Sequence, residues 1–165
     1  MTAGATISRM GAIDIRRSTL ASPDGVHLIA ALNAELTVTF PEPGATHFAL
    51  ASAEVEASDG AFVIAYLDEV AVGCGAVRRL DGATAELKRM YGDPSVRGRG
   101  IGRALVEALE REARLLGVTK VVLETGTRLA PAIKLYEAMG YVRIPLFGEY
   151  VSSPNTSLCF GKSLG

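Results

Sequence analysis

Cysteine is nearly absent from this 165-residue chain: Cys74 and Cys159 stand far apart, each in an apolar stretch. Two isolated thiols cannot build a disulfide framework, and neither has a Cys or His at metal-ligand spacing. Both read as buried thiols of a reducing compartment, and no metal site is expected. Net charge is lacking too. Lys and Arg number 17 against 18 Asp and Glu, a balance of −1 that gives no general pull toward nucleic acid. Residues Met1 to Arg17 contain no continuous apolar region of the signal-peptide kind, and no run is long enough for a membrane-spanning helix. The expectation is a cytoplasmic, soluble protein with neither membrane nor nucleic-acid partner.

What is present suits a folded core. Apolar residues make up 48% and charged residues 21%, which separates the chain from disordered sequences. The length fits one domain over residues 1–165, with residues 1–10 as a loose lead-in. Ala12 to Arg17 alternates like a strand. Ser22-Pro23-Asp24 opens a helix with a capping hydroxyl, a proline and an early acid, and Val26, Ile29, Leu32 and Leu36 carry it to about Thr39. A short helix is expected within His47 to Ala57. Asp68-Glu69 and Asp81-Gly82 punctuate three sequential antiparallel strands, Ala61 to Leu67, Val70 to Arg79 and Ala83 to Tyr91.

The periodicity then changes. Ile101, Leu105, Ala108, Leu109 and Leu116 form one helix face, with Glu107–Arg111 and Glu110–Arg114 as i,i+4 pairs on the other and Gly117 as the stop. Lys120 to Glu124 reads as a buried strand. Pro131 opens a helix that Gly140 closes, and Tyr141 to Ile144 and Thr156 to Lys162 read as final strands. Together these elements specify an α/β (α+β) domain, with helices packed on a mixed sheet.

Between the third meander strand and the amphipathic helix lies Val96-Arg97-Gly98-Arg99-Gly100-Ile101-Gly102-Arg103. Three glycines in five positions let several N–H groups face one point, and the helix N-terminus adds partial positive charge there. Arg97, Arg99 and Arg103 add full charges, so the arrangement suits a diphosphate. A dinucleotide fingerprint fails, because its last glycine would be Arg103 or Leu105, and the Lys-Ser/Thr of a phosphate-binding P-loop is missing. A merely structural glycine turn would not need three arginines.

These residues resemble the GCN5-related N-acetyltransferases, whose signature Arg/Gln-x-x-Gly-x-Gly/Ala is matched by Arg97-Gly98-Arg99-Gly100-Ile101-Gly102. The meander, Val121-Val122-Leu123-Glu124 and Leu135-Tyr136-Glu137-Ala138-Met139-Gly140-Tyr141 extend the likeness over most of the chain, weakest before Ala61. The resemblance implies a mostly antiparallel sheet of six to seven strands with about four helices, and acetyl-CoA as acetyl donor. Gly98, Gly100, Ile101 and Gly102, with the three arginines, would hold its pyrophosphate. The backbone of Arg89, Met90 and Tyr91, on a strand that splays from its neighbour, would pair with the pantetheine amides. Gly92 stands where many relatives have valine, a small departure.

Acetyl transfer needs a neutral amine, a supported oxyanion and a proton for the leaving thiolate. The family's offset makes Glu86 the candidate base, and alternation puts Glu86, Lys88 and Met90 on one strand face. A surface ion pair of Glu86 with Lys88 or Arg89 is the plain alternative. Tyr136 is the candidate acid, protonated at neutral pH, with core packing as its alternative. The oxyanion donor would be a backbone N–H near Tyr91. Phe147 and Tyr150 are candidate acceptor contacts, and Lys88 or Arg89 could hold a carboxylate. His27 and His47 lack metal-ligand partners and read as surface or packing residues. The likeness of Leu87-Lys88-Arg89-Met90-Tyr91 and Phe147-Gly148-Glu149-Tyr150 to small bacterial enzymes implies an amino acid or small amine as acceptor. A protein or peptide acetyltransferase and a non-catalytic acyl-CoA sensor remain as alternatives, and a homodimer is carried over from the family.

Overall fold

The structure, a computed structural model, describes residues 11–165. The lead-in expected over residues 1–10 lies outside the described residues. Seven strands form one sheet: β1 Ile13–Ser18, β2 Gly60–Leu67, β3 Val70–Arg79, β4 Thr84–Gly92, β5 Lys120–Gly126, β6 Val142–Ile144 and β7 Ser157–Ser163. Their spatial order is β1-β2-β3-β4-β5-β7-β6. Every neighbouring pair is antiparallel except β4 and β5, the parallel pair at the sheet's centre. Three α-helices accompany it: α1 Pro23–Thr39, α2 Ile101–Leu115 and α3 Ala130–Ala138.

The local chemistry accounts for these elements. The Ser22 hydroxyl caps α1 by accepting the Gly25 N–H at 3.1 Å. Asp68 and Glu69 both take positive φ (49° and 63°), the turn whose twist suits a two-residue hairpin between β2 and β3. The Asp81 carboxylate accepts the N–H groups of Ala83 and Thr84, each at 2.8 Å, and so shapes the next turn. Gly117, at φ 82°, follows α2 in the left-handed conformation that ends a helix.

Two clusters occupy the two sheet faces. Leu105, Val106 and Leu109 of α2 pack with Val63, Val77, Leu87, Val121 and Leu123, and Tyr136 and Tyr141 join them. Each buried aliphatic of that stripe contributes roughly 1.5–3 kcal/mol of burial. On the other face Leu28 of α1 meets Phe62, Ile64, Cys74 and Ala76. Both cysteines are buried and free, and burial pushes the Cys74 thiol up to about 12.

Three expectations need correction. Only a 3-10 turn, Ser52–Val55, stands where a fourth helix was expected over 47–57. Val55 alone is buried in that stretch, so no apolar stripe holds a longer helix. The pairs expected on the outer face of α2 are also different. Glu110 is buried and accepts from Tyr141 Oη at 3.0 Å and Lys162 Nζ at 2.8 Å, while Glu107 faces Arg103 at 3.7 Å. Glu110 follows Leu109 on the rim of the buried stripe, where a carboxylate needs donors from the sheet side. The third correction lies in β4.

Candidate active site

Strands β4 and β5 pair only through Thr84–Leu87 and Lys120–Leu123. Beyond that, β4 follows β3 and β5 follows β7, so the sheet opens into a V. The register between β3 and β4 also slips by one residue between Cys74 and Ala76, and Arg89 takes φ 58°. This is a bulge, and it changes which way the strand's side chains face. Met90 joins the α2-side cluster, whereas Tyr91 packs on the α1 side with Cys74. The alternation that grouped Glu86, Lys88 and Met90 therefore breaks at Arg89.

A cleft of about 660 Å³ runs through the V. One end is the loop before α2. Gly98 and Gly100 both have φ 83°, with nothing within 4 Å of where a Cβ would stand. Gly100 is the N-cap of α2 and offers no side chain, so the first-turn N–H groups keep no capping partner. Backbone glycine and an open helix N-terminus fit a diphosphate. The arginines are less concentrated than the sequence suggests. Arg97 donates to Gly92 O at 3.1 Å and pairs with Glu35 of α1 at 2.7 Å. Arg103 lines the cleft beside Gly98, Gly100, Ile101 and Gly102, and Arg99 does not.

The other end is built from side chains, most of them buried. Tyr136 of α3 is 4% exposed and lines the cleft, its phenol pushed well above the usual range by burial and by Glu124. Glu124 of β5 lines the same wall, and burial pushes its carboxyl up to about 7. The neighbouring Ser157 hydroxyl works against that rise, yet its Oγ is buried outside hydrogen-bond geometry. Glu86 has a different setting. It is fully buried and absent from the cleft wall. Arg78 Nε donates to its Oε1 at 3.0 Å and Tyr150 Oη donates to its Oε2 at 2.6 Å. The ion pair expected with Lys88 or Arg89 is made with Arg78 instead.

Tyr150 reaches the cleft, while Phe147 stands behind it, ring to ring at 5.2 Å and off the cleft wall. Lys88 Nζ pairs with Glu149 at 2.8 Å and lies 5.6 Å from the Tyr150 ring. His47 also lines the cleft, edge-on to Tyr150 at 4.9 Å, with Nε2 at 3.0 Å from Ser153 Oγ. Arg89, Met90 and Tyr91 form the β4 side of the opening. Glu124 and His47 are the residues sequence reasoning missed. An acid ending the apolar run Val121-Val122-Leu123 was the signal for the first, and His47 gave none.

The acetyltransferase (GNAT) family model matches residues 27–141. The chain belongs to this family. An IAA acetyltransferase from Azospirillum brasilense is 40% identical over 94 residues, 56% of this chain and 61% of that protein, so the likeness spans about three fifths of its length. The uncharacterised N-acetyltransferase YsnE from Bacillus subtilis is 28% identical, over 80% of this chain and 89% of its own. A Klebsiella pneumoniae structure assigned as an acyl-CoA N-acyltransferase is 30% identical at a TM-score of 0.76, covering 93% of this chain and 98% of that one. A GNAT acetyltransferase from Elizabethkingia anophelis with acetyl-CoA bound shares the fold at 16% identity and a TM-score of 0.66, covering 92% and 97%. No helix among the described residues is long and apolar enough to cross a membrane.

Proposed function

We propose that this chain is an acetyl-CoA-dependent N-acetyltransferase acting on a primary amine of a small molecule by direct attack in a ternary complex. One observation carries the reading: a single cleft joins the open helix N-terminus at Gly100 to the buried Tyr136 and the half-buried Glu124 across the gap between β4 and β5. Acetyl-CoA, when bound, supplies an activated thioester. Gly98, Gly100, Ile101 and Gly102 would hold its diphosphate through backbone N–H groups, with Arg103 beside them. The free backbone edge of Arg89, Met90 and Tyr91 would pair with its amides, and an N–H near Tyr91 would support the developing oxyanion.

The proton route follows from these two groups. A carboxyl near 7 is ionised in a useful fraction at neutral pH, and Glu124 would take a proton from the acceptor's ammonium, leaving the neutral amine that attacks the thioester carbonyl. Tyr136, held protonated, would donate from Oη to the departing sulfur. Glu86, expected as the base, has both oxygens occupied by Arg78 and Tyr150. Its role here is to position Tyr150 in the cleft wall.

The test is acetyl-CoA-dependent thiol release across amino acids, polyamines, aminoglycosides and short peptides. The buried cysteines leave a low background against the thiol reagent. Turnover of free amines is the expected result. Turnover of peptides alone would make the acceptor a protein, and stabilisation by acetyl-CoA with no turnover would make the chain a sensor.

A further inference from the structure

The acceptor end of the cleft holds a cation that no anion among the described residues faces. Arg89 is 8% exposed, and no other arginine among the described residues is buried to that degree. Its guanidinium donates to Asn33 Oδ1 of α1 and lies 5.0 Å from the Phe48 ring centroid. Both neighbours are uncharged. The acidic groups whose charge would favour the guanidinium are the Cys74 thiol and the Tyr150 phenol, and burial pushes both upward, so neither is an anion at neutral pH. Burial lowers the pKa of Arg89 itself, but a guanidinium starts so high that it keeps its proton.

The other cations around the cleft are served. Lys88 has Glu149, Arg97 has Glu35, Arg128 has Glu42, and Arg78 behind the wall has Glu54 and Glu86. A buried, uncompensated charge is costly unless a counter-ion arrives in the working state. Arg89 lines the cleft beside Lys88, on the strand that would carry the acetyl group, and Asn33 engages only part of its five-donor fork. Its backbone is held at φ 58°, a conformation unusual for a residue with a side chain.

We propose that Arg89 recognises a carboxylate on the acceptor, so that the substrates are amino-carboxylates, free amino acids foremost, and not polyamines or aminoglycosides. The planar fork matches a carboxylate's two oxygens, whereas a polycation would enter against the uncompensated charge of Arg89. The inference rests on the transferase reading and deepens it.

The experiment runs the twenty free L-amino acids beside their carboxamides in the thiol-release assay, with wild type, Arg89→Met and Arg89→Lys. In parallel, calorimetry measures acetyl-CoA binding to each protein and amino-acid binding to the CoA-loaded protein. The expected wild-type preference for acid over amide is at least about a hundredfold in kcat/KM, because the fork is left unpaired by the amide. That preference should collapse to within about tenfold in Arg89→Met, with acetyl-CoA affinity unchanged. Arg89→Lys keeps the charge without the fork, recovers part of the preference, and guards against a folding defect in the methionine variant. Amides used as well as acids would overturn the inference and leave the transferase standing. So would a matching loss of acetyl-CoA binding in Arg89→Met, which would give the guanidinium to the cofactor. If no amine turns over, the transferase reading fails by itself. Amino-acid binding that Arg89→Met abolishes would still uphold the carboxylate site, and no such binding would end it.

Discussion

The two ends of the cleft are built by opposite means. The end before α2 is exposed backbone: two glycines at φ 83°, a helix N-terminus without a side-chain cap, and arginines tied to acids nearby or directed outward. The far end is side chain: the half-buried Glu124 from β5, and the buried Tyr136 from α3, Lys88 and Arg89 from β4, and Tyr150 from the loop before β7. A backbone site tolerates changes of side chain, because its donors remain whatever residue follows them. A site of buried titratable groups depends on each one, because burial sets the charge state that the chemistry needs.

The sharpest way to test that contrast is Glu124→Gln. If Glu124 is the base, kcat should fall by about 10²–10⁴-fold while acetyl-CoA affinity stays put. The wild-type rate should rise with pH through about 7 as the carboxyl ionises, and the variant should lose that rise. The stability effect runs the other way. The carboxyl of the folded state is raised from its ordinary 4.5 to about 7, so this group favours the fold fully below 4.5 and loses that contribution as pH climbs through 7. A melting curve of Glu124→Gln should therefore be flatter across that window. Glu86→Gln should leave the pH dependence of the rate in place, and a profile abolished by it instead would return the base to Glu86.

Next in size is Tyr136→Phe. Loss of the phenolic donor should lower kcat by about a hundredfold, and the ring should go on filling its place against Tyr141, 5.8 Å away. Unchanged turnover with a lower melting temperature would assign Tyr136 to packing.

The same contrast explains what the sequence revealed. The residues from Arg97 to Arg103 are contiguous, so their glycine spacing announces an open backbone turn before α2 with no knowledge of the fold. The meander was legible for the same reason, since Asp68-Glu69 and Asp81-Gly82 are local signals. The far end was not, because its members lie on β4, β5, α3 and the loop after β6 and meet only when the sheet forms. Two of the misreadings have specific causes. Period-two alternation assumes a regular strand, and the positive φ of Arg89 ends it midway, sending Met90 to the α2 side. Helical i,i+4 spacing put Glu110 beside Arg114, but the rim of a buried stripe belongs to whatever the sheet offers, here Lys162 and Tyr141. The helix expected over 47–57 failed for want of a buried face. His47 lies in that irregular stretch, so periodicity could not place it in the cleft.

The smallest effects belong to the exposed end, and they separate backbone from side chain. Gly100→Ala meets no atom within 4 Å, so its cost is purely the left-handed backbone, roughly 1–2 kcal/mol. Relaxing that strain would turn the N–H groups from their common point, and acetyl-CoA should bind about tenfold more weakly. Arg97→Gln should do less. Its guanidinium is already shared between Glu35 and Gly92 O, and an exposed pair of this kind contributes about 0–1 kcal/mol. The Kd for acetyl-CoA should rise no more than a few-fold, by an amount that shrinks further as salt screens the charge. If Arg97→Gln instead weakened binding more than Gly100→Ala, the diphosphate would be held by side-chain charge. The contrast between a backbone end and a side-chain end would then give way to a cleft built by side chains throughout.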